Sequence, residues 1–219
     1  MLTTGGTISS VETENGLIPS SANTILKQMG VENNTEFELY VKEILLLDSS
    51  NIQPEEWNVI AQAIYKDINN YDAIIITHGT DTMAYSASMI SFMIQNPKIP
   101  VIFTGSQLPI GNFLTDAIFN LRSAFAMAMS GVGGIFLAFD RQIILGTRAV
   151  KVRTTSFHAF ESINTPPVGI VDSHGLTLRL ELIPHHDLDT IFNNKINSNV
   201  FLLKLTPATN PSIIDLLIK

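Results

Sequence analysis

The 219-residue sequence contains no cysteine. That excludes disulfides, a thiol nucleophile and metals held by thiolates, and it fits a reducing, cytoplasmic compartment. Charge is scarce as well. Asp, Glu, Lys and Arg make up 15% of the chain, and 20 acidic against 13 basic residues give a net charge of −7 with a pI near 5.1. Such a chain offers no basic surface for nucleic acid. Long apolar runs are missing, and none reaches the roughly 18 residues of a membrane-spanning helix, so no membrane partner is expected. No leader peptide is recognisable. Met1-Leu2 is a short lead into the first loop, whereas a buried strand takes about 4–8 residues, so a trimmed or misassigned start is expected.

What remains is 45% hydrophobic, enough for a folded globule, and the length suits one domain or one domain and part of a second. The pattern alternates strand and helix. Residues 37–47 read as a strand that ends in Asp48-Ser49-Ser50-Asn51. Pro54 suits a first helical turn, and Trp57, Ile60, Ala61, Ile64 and Ile68 recur at helical spacing. Residues 73–77 form an uninterrupted apolar strand, as in a parallel sheet covered on both faces. A helix over 83–95, a strand over 101–104, a helix over 115–130 and a strand over 135–139 follow. A β-hairpin is expected within 142–155. The predicted fold class is α/β, a mostly parallel sheet with helices on both faces.

Two loops rich in threonine and glycine leave strand ends: Thr4-Gly5-Gly6-Thr7-Ile8 and Thr77-His78-Gly79-Thr80-Asp81-Thr82-Met83. Gly, Thr and Asp also favour ordinary turns. In a parallel sheet, however, ligands bind outside the carboxyl ends of the strands. The loops carrying Gly5-Gly6-Thr7, Ser49, Thr80-Asp81 and Ser106 would all gather there. Threonine needs a partner to remove its proton before it becomes a nucleophile, and glycine lets backbone approach a ligand. Together they form a plausible hydrolytic site. The Gly5-Gly6 loop lacks the Gly-Lys-Ser/Thr ending of a phosphate loop.

Both loops, together with Arg148-Ala149-Val150-Lys151 and Leu47-Asp48-Ser49-Ser50-Asn51 followed by Trp57, resemble the signature segments of the bacterial-type L-asparaginases, of the cytosolic type I or Gram-positive kind. The resemblance runs in order over about residues 1–219. It implies the flavodoxin- or Rossmann-like N-terminal domain of that family and hydrolysis of L-asparagine to L-aspartate and ammonia without metal or organic cofactor. It also implies a homodimer or homotetramer. Thr7 would be the nucleophile, and Thr80, Lys151 and Asp81 would form a proton relay. Ser49 would bind the substrate α-carboxylate and Asp81 its α-ammonium, with Ser50, Gly79, Thr80 and Ser106 lining the same pocket. The polar segment 9–20 would be a lid.

Read without the resemblance, several of these residues have simpler roles. Lys151 suits a solvated strand, and Ser49 suits a strand end or a helix cap. His78, at a strand end, is expected to be a structural hydrogen-bonding residue and not a base. His185-His186-Asp187 looks like a metal cluster, but adjacent histidines on an extended segment face opposite ways. The chain also departs from the family pattern. Leu17 stands where the lid usually has tyrosine, and Ser50 where relatives often have glutamine. The expected division is a catalytic domain over 1–183, a polar linker over 184–199, and over 200–219 the start of a smaller α/β domain, most of it missing, that begins with a strand at 200–205. Two further readings are an amino-acid-binding module without catalysis and an amidase-like subunit of an amidotransferase acting on aminoacyl-tRNA.

Overall fold

A computed structural model describes residues 1–6, 8, 10–13, 16–19, 22–30, 36–184 and 187–218, with 10–13, 16–19 and 22–25 described by their backbone alone. In chain order the elements are β1 (Leu2–Thr3), β2 (Ser10–Thr13), β3 (Gly16–Pro19), α1 (Ala22–Met29), β4 (Lys42–Glu43), α2 (Pro54–Asp67), β5 (Ile74–Thr77), α3 (Met83–Met93), β6 (Ile94–Gln95), β7 (Pro100–Thr104), α4 (Ala117–Met129), β8 (Gly134–Phe139), β9 (Gln142–Leu145), β10 (Ala149–Lys151), β11 (Phe160–Ser162), β12 (Gly169–Asp172), β13 (Gly175–Leu178), β14 (Ile191–Phe192) and α5 (Ile213–Ile218).

The main sheet has the order β13-β12-β9-β8-β7-β5-β1-β4. Strands β4, β1, β5, β7 and β8 are mutually parallel; β9, β12 and β13 extend the sheet antiparallel. Side chains alternate across it. Ile74, Ile76, Val101, Phe103, Ile135 and Leu137 bury against Ile60, Ile64, Met83 and Ile90 of α2 and α3. Ile75, Ile102, Phe136 and Ala138 bury on the opposite face with Leu121 and Ala124 of α4. Each fully buried isoleucine or phenylalanine contributes about 1.5–3 kcal/mol relative to exposure. The two covered faces are why β5, β7 and β8 read as continuous apolar runs.

The parallel strands lie in the order β4-β1-β5-β7-β8, the flavodoxin-like arrangement whose switch point falls between β1 and the third strand, here β5. Register places Thr3, Thr77 and Thr104 side by side at the carboxyl edge. The loops after β1, β5 and β7 therefore leave the sheet at one level.

Several expectations change. The strand expected over 37–47 shrinks to Lys42–Glu43, because among the described residues β4 lies at the sheet edge and pairs with β1 alone, which is two residues long. The helix expected over 83–95 stops at Met93, since Ile94–Gln95 instead pairs antiparallel with Ile191–Phe192. That pairing also gives structure to the segment expected to be a linker: Phe192 stacks on Tyr65 with ring centroids 4.6 Å apart. Hairpins are present, but β9 and β10 do not pair with each other. β9 returns along β8 through Asp140-Arg141, both at positive φ as a tight two-residue turn demands, and β10 pairs with β11. Residues 200–205 form no strand. Val200 and Leu202 are 80% and 89% exposed, and among the described residues no strand pairs with them.

Candidate active site at the β1–β5 crevice

The loop after β1 is bound to the β5 end. Thr4 donates from both its backbone N–H and its Oγ1 to the Thr77 carbonyl, at 3.1 and 3.0 Å. Gly5 and Gly6 have φ of +99° and +81°, which only glycine adopts at little cost. A Cβ on Gly6 would lie 2.8 Å from the Gly79 nitrogen, so the two loops meet backbone to backbone. Thr7 lies outside the described residues, between Gly6 and the buried Ile8.

The loop after β5 is organised by His78. This imidazole is 1% exposed. Trp57 Nε1 donates to Ser86 Oγ at 3.0 Å, and Ser86 Oγ lies 2.9 Å from His78 Nε2. Nδ1 lies 2.7 Å from the Gly79 carbonyl, which can only accept. The tautomer follows: Nδ1 carries the proton and Nε2 accepts from the serine. This chain from α2 through α3 fixes the Gly79 carbonyl. Because the peptide is planar and trans, the Thr80 N–H faces away from His78.

Burial pushes the His78 pKa down from 6.5 to about 4. The unfolded chain then takes up a proton below pH 6.5 that the folded one refuses until pH 4. Stability present above pH 6.5 is lost as the pH falls towards 4, by about 3 kcal/mol in all. Urea unfolding of the parent and of His78→Gln at pH 7 and pH 4.5 should show a larger acid loss in the parent. Equal losses would mean that His78 protonates normally in the folded state.

Ser49, buried beyond β4, links to the same loop. Its Oγ accepts from the Asp81 N–H at 3.2 Å and its carbonyl from Thr82 Oγ1 at 2.7 Å. A Cβ on Gly79 would fall 2.5 Å from Ser49 Oγ. Ser50 turns outward and donates to Asp48 at 2.7 Å; its N–H and hydroxyl hold the Asp48 carboxyl below the usual carboxylate range. Ser106 Oγ donates to Leu108 within its own loop at 2.6 Å.

Lys151, on β10, is no solvated strand lysine. Its side chain is 13% exposed, and Nζ lies 2.9 Å from Thr80 Oγ1 and 2.7 Å from Asp81 Oδ1. Asp81 is 56% exposed and reaches solvent. The structure thus brings Ser49, Gly79, Thr80, Asp81 and Lys151 together beside Gly6, while Ser50 and Ser106 bond to their own loops. His185 and His186 lie outside the described residues, and among the described residues no group of three metal-ligating side chains occurs.

Three residues near the site escape sequence reasoning. The buried Asp116 carboxylate accepts from the backbone N–H groups of Gln107 and Leu108 and from Asn120 Nδ2. Asn120 also donates to the Gly105 carbonyl and accepts from the Asp140 N–H. Gln107 joins Thr80 to the segment after β10. An Asp-Asn pair four apart at a helix start was the available signal.

A family profile described as Asparaginase, N-terminal, matches residues 1–184. The chain belongs to the asparaginase family. The L-asparaginase of Thermococcus kodakarensis is 41% identical over 215 residues, covering 98% of this chain and 65% of the relative. Its solved structure superposes with a TM-score of 0.91 over 99% of this chain and 66% of that one. L-asparaginase 1 of Escherichia coli K12 is 32% identical, covering 96% of this chain and 64% of its own length. A glutamyl-tRNA(Gln) amidotransferase subunit of Methanosphaera stadtmanae is also 32% identical, covering 99% of this chain and 52% of that protein. The chain therefore spans just under two thirds of the asparaginases it matches. In this asparaginase-family chain no helix of the described residues is long and apolar enough to cross a membrane.

Proposed function

We propose that the chain hydrolyses the side-chain amide of L-asparagine to L-aspartate and ammonia in the cytoplasm, as a homodimer or homotetramer, with 1–183 as the catalytic unit. The observation that carries this reading is Lys151 Nζ held between Thr80 Oγ1 and Asp81 Oδ1 at the switch point of the sheet. Thr7 Oγ attacks the amide carbon and its proton leaves with the ammonia. The resulting ester is attacked by water, whose proton passes through Thr80 to Lys151; as the ester C–O bond breaks and aspartate departs, that proton is returned to Thr7 Oγ. The Thr80 N–H, directed away from His78, supplies oxyanion stabilisation. Ser49 receives the α-carboxylate and the exposed Asp81 receives the α-ammonium.

The test is ammonia release from L-asparagine by this chain beside Thr7→Ala and Thr80→Val. The expected result is release that depends on both threonines. A rate above roughly a tenth of the parent's in either variant would sink the assignment, since a positioned nucleophile or acid–base group contributes about 10²–10⁴-fold. The similarity to the glutamyl-tRNA(Gln) amidotransferase supports a second reading, an amidase subunit that passes ammonia to a tRNA-amidating partner. Ammonia release that requires a copurifying partner would favour it over the free enzyme.

A further inference from the structure

Gln107 touches Thr80 through an amide whose orientation is fixed. Its Nε2 donates to the Thr154 carbonyl at 3.0 Å and to the Ser156 carbonyl at 2.9 Å. A primary amide has two N–H groups, so both are engaged. Turning the amide over would set Oε1 against two carbonyl oxygens. Oε1 therefore faces Thr80 Oγ1, 3.3 Å away. It bears no hydrogen, so the threonine must donate. Thr80 has a single hydroxyl proton, and its Oγ1 accepts from Lys151 Nζ at 2.9 Å. The backbone N–H of Gln107 is held by both oxygens of the buried Asp116, each at 3.0 Å. The amide thus stands on a firm base.

We infer that Gln107 is a positioning residue for the proposed hydrolysis, setting the Thr80 hydroxyl and hence when a proton moves between Thr80 and Lys151. The inference rests on the reading of Thr80 and Lys151 above. In the arrangement seen, Thr80 shows Lys151 a lone pair, which suits an ammonium donor. To pass a proton to neutral Lys151, the hydroxyl swings from Oε1 to Nζ; its O–H bond then breaks, the third N–H bond of the ammonium forms, and Thr80 replaces the proton from the attacking water. At 3.3 Å the contact to Oε1 is longer than the usual O–H···O distance of about 2.7–2.8 Å, so it releases readily. Gln107 holds the hydroxyl near this path without locking it.

The experiment compares kcat, KM and melting temperature of the full chain with those of Thr80→Val, Gln107→Met and Gln107→Glu. Methionine keeps the length and removes both the acceptor and the donors. Its kcat should fall roughly 10–100-fold with KM within about twofold, the mark of a group that acts on the chemical step. Glutamate keeps an acceptor facing Thr80 but opposes two carbonyls with oxygen. Its melting temperature should fall while kcat stays within about fivefold of the parent. A Met variant that keeps more than half of the parent kcat overturns the inference. So does a Glu variant that loses as much kcat as Met, because the clamp on Thr154 and Ser156 would then be the whole effect. Should Gln107→Met fail to fold, a folded Gln107→Glu with more than about a tenfold loss in kcat overturns it alone. Full activity in Thr80→Val would instead remove the reading of the site. An inactive Thr80→Val beside a fully active Gln107→Met would remove only the part assigned to Gln107.

Discussion

Lys151→Met is expected to lower asparagine hydrolysis by about 10³–10⁴-fold while leaving the fold nearly as stable as before. Loss of a positioned acid–base group alone is worth up to roughly 10⁴-fold. Methionine replaces the largely buried lysine stem as far as Cε, but it neither donates to Thr80 nor pairs with Asp81. The abandoned carboxylate is 56% exposed, so water solvates it and no buried charge is left unpaired. Rate and stability should therefore separate, which ammonia release at saturating substrate and a thermal melt together reveal. Lys151→Arg sharpens the test. Arginine keeps the charge but cannot lose a proton near neutral pH, so it should fold and still fail. Activity restored by arginine would reduce Lys151 to a fixed charge. Activity within tenfold of the parent in Lys151→Met would take the lysine out of the mechanism.

The parts legible in the sequence are those fixed by local pattern. Runs such as Ile74-Ile75-Ile76 and Val101-Ile102-Phe103 could be read as buried strands because both of their faces are covered. The helical spacing of Ile60, Ala61 and Ile64 likewise marked one face of α2. The loops after β1 and β5 stood out because a strand end in glycine and threonine is visible without knowing its neighbours. What escaped depends on partners distant in the chain. Gln107 reaches Ser156 across 49 residues, and no spacing rule connects such a pair; the link of Lys151 to Thr80 across 71 residues was legible only through the family resemblance. Strand length failed for the same reason. Residues 37–47 carry enough strand-forming side chains, but a ladder is only as long as the shorter of its strands. The apolar residues 200–205 have strand composition and no neighbouring strand among the described residues.

Gly6→Ala should cost both stability and activity, although the change adds a single methyl group. An L-residue at φ +81° costs about 1–2 kcal/mol by its left-handed conformation alone. The new Cβ would also lie 2.8 Å from the Gly79 nitrogen and 3.0 Å from its Cα. Those are backbone atoms, so no side-chain rotation relieves the contact. The loops must part, adding about 1–3 kcal/mol of overpacking strain. Gly79 is itself held by the His78 imidazole and packed on Ser49, so the movement falls on the segment that carries Thr7. A displacement of about 1 Å there costs 10²-fold or more in rate. Gly131→Ala is the control: its φ is +67°, but nothing lies within 4 Å of the added Cβ. It should show the conformational cost alone, about 1–2 kcal/mol, with hydrolysis unchanged. Urea midpoints and ammonia release for the two variants separate strain from loop displacement. If Gly6→Ala merely matched Gly131→Ala in both, the loops after β1 and β5 would not be pressed together in solution, and the shared site built across them would lose its foundation.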